Sequence, residues 1–117
     1  MLTPFQFYTL LFHKLDEKWE SCKDEELGMC LSEMSPYIWE GEGSADPAVY
    51  EEFKEFIRGK EIGDDYGFSL IVPYLESLDF YKDIKRFVAD MNEKSWIAWA
   101  EEFFNNPPNP DDFKLVK

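Results

Sequence analysis

Basic residues are scarce in this chain, and so are the residues that usually carry chemistry. Lys and Arg number 12 against 25 Asp and Glu, which leaves a formal net charge of −13. Affinity for nucleic acid comes largely from cations that neutralise phosphates. Direct binding to DNA, RNA or an anionic membrane is therefore disfavoured. There is one histidine, His13, so any Cys–His or Ser–His catalytic pair would have to use it. It stands between Phe12 and Lys14 in an apolar stretch, where a packed or surface histidine is the simpler reading. The two cysteines, Cys22 and Cys30, are too few for a disulfide framework and lack C-x-x-C spacing. Both read as small core residues, and such sparse use suits a reducing compartment. Two cysteines and one histidine make no usual zinc set, and H-E-x-x-H does not occur. No run approaches the ~20 apolar residues that a spanning helix needs. The apolar stretch Phe7–Phe12 is short and has no basic region before it, so no secretory signal is expected. The expected compartment is the cytoplasm.

Two near-motifs fail on chemistry. Asp65 and Glu76 stand eleven apart, as the first and last ligands of an EF-hand loop would, but Leu70 occupies the position that needs glycine. Gly41-Glu42-Gly43-Ser44 resembles a phosphate loop only in outline. It has no lysine, and Glu40, Glu42 and Asp46 would repel phosphate. Adjacent carboxylates, Asp64/Asp65 and Glu101/Glu102, are the only remaining catalytic equipment. No catalytic residue, metal or cofactor is expected.

What the chain does have is aromatic mass. Phe, Trp and Tyr make up 18% of 117 residues, enough for one core despite 32% charged residues. Thr3-Pro4 with Gln6 matches a capping box with proline at the first helical position. Phe5, Tyr8, Phe12, Leu15, Trp19 and Cys22 then form one stripe, predicting a helix over residues 4–22. Its first half is apolar nearly all round, with Phe7, Leu10 and Leu11 added, and is expected at the centre of the core. A second helix is predicted over residues 24–34, with Gly28 counting against it. Glu40–Asp46 reads as a loop, and Asp46-Pro47 restarts a helix that Gly59 closes. Residues 66–78 have helical spacing interrupted by Pro73, with a short strand at Leu70–Val72 as the competing reading. Asp79 is placed to cap a helix over residues 80–92, and Ser95 to cap one over 96–104. The fold class is therefore all-α, a compact single-domain bundle of five or six short helices spanning residues 1–106. Residues 107–117 form a Pro-rich tail.

The acidity is concentrated. Residues 23–79 hold fifteen acidic and four basic groups. A field of one sign steers an opposite partner. Within that stretch Trp39 and Tyr66 flank acidic loops, and an aromatic anchor ringed by charge is a common hot-spot composition. The candidate partner-binding residues are Trp39, Glu40, Glu42, Asp46, Glu51, Glu52, Glu55, Asp64, Asp65 and Tyr66. The expected function is a small acidic protein-binding module of inhibitor or immunity type that neutralises a basic protein. One alternative is an adaptor whose interface is the aromatic set Trp96, Trp99, Phe103 and Phe104. The other, ranked last, is an enzyme using carboxylates.

Overall fold

A computed structural model describes residues 2–78, 81 and 83–106. The described elements are α1 (Pro4–Cys22), α2 (Glu25–Met34), α3 (Pro47–Ile57), α4 (Phe68–Glu76), a 3₁₀ helix (Ile84–Val88) and α5 (Glu93–Asn105). The all-α bundle is thus the observed architecture, and no strand occurs among the described residues. The Pro-rich tail and the Asp79 cap lie outside them. Among the described residues no helix is long and apolar enough to cross a membrane.

α1 starts where its capping box directs. The Thr3 side chain accepts from the Gln6 N–H at 3.1 Å, and the Gln6 side chain accepts from the Thr3 N–H at 2.9 Å. Phe7, Tyr8, Thr9, Leu10 and Leu11 are all fully buried, so this half of the helix has no wet face. The buried Thr9 hydroxyl is satisfied within the helix by the Phe5 carbonyl. Farther along, the helix emerges from the core, and Cys22 is exposed in the last turn. The expectation of a core Cys22 is therefore corrected: the stripe stops at the partly buried Trp19, and Lys23 leaves the helix in the left-handed region. Cys30 is buried as expected.

Gly28 lies within α2 because α1 passes close by. A Cβ there would stand 2.8 Å from Nε1 of Trp19. Against the competing strand, Leu70–Val72 is helical, inside α4. Pro73 is tolerated in α4 because the hydrogen bond it deletes belongs to the Ser69 carbonyl, and both residues face solvent. Within the predicted helix over 80–92, the described residues form only the 3₁₀ segment Ile84–Val88. Asn92 takes extended backbone to cap α5, which breaks helical continuity before that point. The Ser95 cap is corrected in the same way. Asn92 is the cap, and Ser95 is its capping-box partner, so α5 starts a turn earlier.

The core centres on Phe7, Tyr8, Phe53, Tyr74 and Trp96. Tyr8 meets Phe53 edge-on at a centroid distance of 5.0 Å, and Phe53 meets Tyr74 edge-on at 5.1 Å. The turn into α4 closes against this cluster. Gly67 has φ +82°, and a Cβ on it would lie 2.5 Å from the Phe7 ring. Backbone conformation and space both demand glycine here. Gly67→Ala is therefore expected to cost about 2–3 kcal/mol of stability, combining left-handed strain with overpacking. Urea unfolding followed by circular dichroism checks this. Gly41→Ala, where a Cβ meets nothing within 4 Å, serves as the neutral control.

Candidate functional site

The loop between α2 and α3 is held from inside. Backbone hydrogen bonds from Ala45 to the Ser35 carbonyl and from Asp46 to the Glu33 carbonyl, 2.9 and 3.0 Å, draw its two ends together. Ser44 is fully buried at the centre. Its hydroxyl donates to the Asp46 carbonyl and accepts from the Tyr50 N–H at 2.9 Å. Its carbonyl accepts the Trp39 indole N–H at 2.7 Å. The indole is thereby pinned while remaining 50% exposed, beside Ile38 at 62%. Glu40 and Glu42 are exposed on the same loop, and the Tyr50 hydroxyl donates to Glu42 at 3.4 Å. Asp46 accepts from the Ala48 N–H and so caps α3.

The outer face of α3 continues the acidic surface. Glu51, Glu52 and Glu55 are all exposed. Glu51 pairs with Lys54 at 3.0 Å and Glu55 with Arg58 at 2.6 Å, each three residues on. Such exposed pairs are worth little. Glu52 has no ion pair among the described residues and, with Leu78, borders two hollows, one toward α4 and one toward α2.

Asp64, Asp65 and Tyr66 lie elsewhere, in the α3–α4 connection. Asp64 and Tyr66 line a shallow hollow with Leu2, Gly63, Phe104 and Asn105, and none of the other candidate residues reaches it. Asp65 accepts from the N–H groups of Gly67 and Ser69 at 2.9 and 3.0 Å. Partial burial works against its charge, but these N–H donors outweigh it and hold the carboxyl below the usual range. The Tyr66 carbonyl accepts the Trp96 indole N–H at 3.0 Å, and its φ is +54°. Asp65 and Tyr66 thus build the turn into α4. Glu42 borders one hollow with Glu51 and Glu55, and Asp46 another with Glu52, while Trp39 and Glu40 stand on the loop that leads into α3 and Asp64, Asp65 and Tyr66 belong to the α3–α4 connection.

The cations from the 3₁₀ region fold back over acids on another side. Arg86 pairs with Asp24 and Glu26, each at 3.2 Å, Lys85 with Glu76 at 2.8 Å, and Asp90 with Lys18 at 2.7 Å. These acids are neutralised locally.

The remaining reactive groups are muted. His13 is packed between Phe12, Tyr37 and Phe103, with Nε2 2.6 Å from the Tyr37 hydroxyl oxygen. Burial pushes its pKa down to about 4. Burial, with Glu33 and Glu26 adding to it, pushes the Cys30 thiol up to about 12, so no thiolate forms near neutrality. Among the described residues no group of three or more His, Cys, Asp and Glu could hold a metal ion. On α5, Trp96 is fully buried, and Trp99 and Phe103 stack in series and end against His13. The Trp99 N–H donates to Glu17 at 2.9 Å, and Lys14 lies over its ring.

Comparison with family models, curated proteins and solved structures finds no match to this chain.

The buried histidine has a consequence in acid. Its pKa is lowered from 6.5 to about 4 in the folded chain, so between those values the unfolded chain binds more protons. Stability from this group is complete above pH 6.5 and is lost as pH falls toward 4. Urea midpoints measured across that window should decline in the parent, and His13→Gln should flatten the decline. An unchanged slope in the variant would place the titration elsewhere, and not at Asp16, whose raised pKa acts in the opposite sense.

Proposed function

We propose that this chain is a protein-binding module that captures a basic partner, in the manner of inhibitor or immunity proteins. The observation that carries the reading is Trp39. A half-exposed indole, locked by its own hydrogen bond to Ser44, stands on a loop whose other exposed side chains include Glu40 and Glu42. An aromatic already held in place loses little entropy on binding, which is the property of an interface anchor. Carboxylates around it and along α3 would attract a cationic surface from a distance and orient it. The same surface would repel polyanions, so nucleic acid and anionic membranes are poor candidates. Two free thiols suit a cytoplasmic setting for this role.

The adaptor reading draws on the aromatic content of α5. Trp96 is buried and Trp99 and Phe103 stack within the molecule, so the acidic loop is the better supported surface. The carboxylate-enzyme reading draws on adjacent acids alone and ranks last.

Affinity capture from the native organism, at about 50 mM and about 500 mM salt, tests the reading. A basic protein should be retained at low salt and released at high salt. Trp39→Ala should weaken its binding by at least roughly tenfold. Glu40→Gln with Glu42→Gln should reduce the dependence on salt while leaving the fold intact. Retention that ignores both salt and Trp39 would sink the proposal.

A further inference from the structure

The hollow between α2 and α3 is a narrow slot of about 70 Å³, bordered by Leu78 and Tyr81. Two sulfur-bearing side chains one turn apart on α2, Cys30 and Met34, line it, each 1% exposed. The Cys30 thiol donates to the Met34 thioether, with the sulfurs 3.7 Å apart. An ion about 2.3 Å from each sulfur would be held at an angle of roughly 110°, close to that of tetrahedral thiolate sites. A second observation points to the same thiol. The Tyr74 side chain is 1% exposed, and its hydroxyl has no hydrogen-bond partner among the described residues. Burial raises its pKa, and Cys30 is the group that adds most to that effect. The Tyr8 hydroxyl also feels Cys30, but it already donates to the Met34 carbonyl. A thiol is a weak acceptor, whereas a metal-bound thiolate is a stronger one. The orphaned Tyr74 donor is thus coupled to the atom that metal binding would turn into an acceptor.

We propose that Cys30 and Met34 together bind a soft monovalent metal ion such as Cu(I). The Cys30 thiol gives its proton to solvent as the metal–sulfur bond forms, so the step needs no oxidant or reductant. Thiolate and thioether are the ligands that select Cu(I), and they suit magnesium or calcium poorly. Zinc takes about four ligands from Cys, His and carboxylates. Among the described residues no three of His, Cys, Asp and Glu gather to hold an ion. A monovalent ion on one thiolate leaves no net charge, which suits a wall that includes Val49 and Leu78. The negative fields of Glu33 and Glu26 reach Cys30 and would draw a cation toward it. The inference does not depend on a basic protein partner.

The test titrates the whole chain with silver nitrate in chloride-free buffer, Ag(I) being a redox-inert probe for Cu(I). Binding is read by calorimetry and by the NMR signals of the methionine methyl groups. The exposed Cys22 thiol would take up silver by itself, so Cys22→Ser is the reference chain. In it a single equivalent should bind, move the Met34 methyl signal and leave that of the exposed Met29 in place. Zn(II) should not reproduce the shift. Cys30→Ala in the reference chain should abolish tight binding. Met34→Leu, which conserves volume, should weaken it at least roughly tenfold. Tyr74→Phe should weaken it by about threefold, because the bound thiolate loses a donor. Tyr74→Phe should also raise the urea midpoint of the metal-free chain, because it deletes a buried group without a partner. Circular dichroism checks that each variant is folded. Absence of binding in the reference chain, binding without a Met34 shift, binding that survives Cys30→Ala, or unchanged affinity in both Met34→Leu and Tyr74→Phe overturns the site.

Discussion

Between Phe7 and Leu11 the first helix offers water nothing, and the rest of the molecule is arranged by that fact. An amphipathic helix can lie on a surface, but one that is apolar all round must be surrounded. α2, α3, α5 and the 3₁₀ segment all pack against α1. Its residues set the closest tolerances in the fold. Phe7 leaves no room for a side chain at position 67, and Trp19 leaves none for an unhindered one at position 28. Two glycines on different elements are therefore read most simply as marks of where α1 lies.

A core so rich in tyrosine, tryptophan and buried serine has polar atoms to satisfy, and their partners position the surface. The Tyr8 hydroxyl donates to the Met34 carbonyl at the end of α2, immediately before the Trp39 loop begins. Ser44 ties the end of that loop to α3 and holds the indole. Trp96 ties α5 to the turn before α4 through the Tyr66 carbonyl. Side chains that bury well thus fix where the exposed ones point. The exposed Trp39 is ordered because of a buried serine, which couples the core to the proposed interface by hydrogen bonds.

The helix starts at Thr3-Pro4 and Asp46-Pro47 were readable in the sequence, because the cap chemistry is local. The 80–92 segment misled because its apolar spacing is right for a helix while a cap within it, Asn92, belongs to the next element. Cys22 misled because periodicity says which face a residue occupies, not how far the neighbouring helices extend. The candidate surface was partly readable. Acidic loops can be seen in composition, but Asp65 and Tyr66 share that composition with Glu42 and Trp39 and serve the turn into α4 instead. The hollow between α2 and α3 was invisible, since Cys30, Val49, Leu78 and Tyr81 come together only through tertiary packing.

The placement of the few cations decides where the field remains. With 12 basic residues against 25 acidic ones, most carboxylates cannot be paired, and their mutual repulsion opposes folding. The basic residues of the 3₁₀ segment turn toward α2 and α4, and Lys54 and Arg58 sit along α3 itself. The repulsion is relieved where the late part of the chain packs on its early helices, while Glu52, on the outer face of α3, has no ion pair among the described residues. Trp39 stands half-exposed on the loop before α3, and the Tyr74 hydroxyl is buried without a hydrogen-bond partner among the described residues. Solubility alone does not require a half-exposed indole pinned by a buried serine, and that is the feature the proposed capture of a basic surface would use.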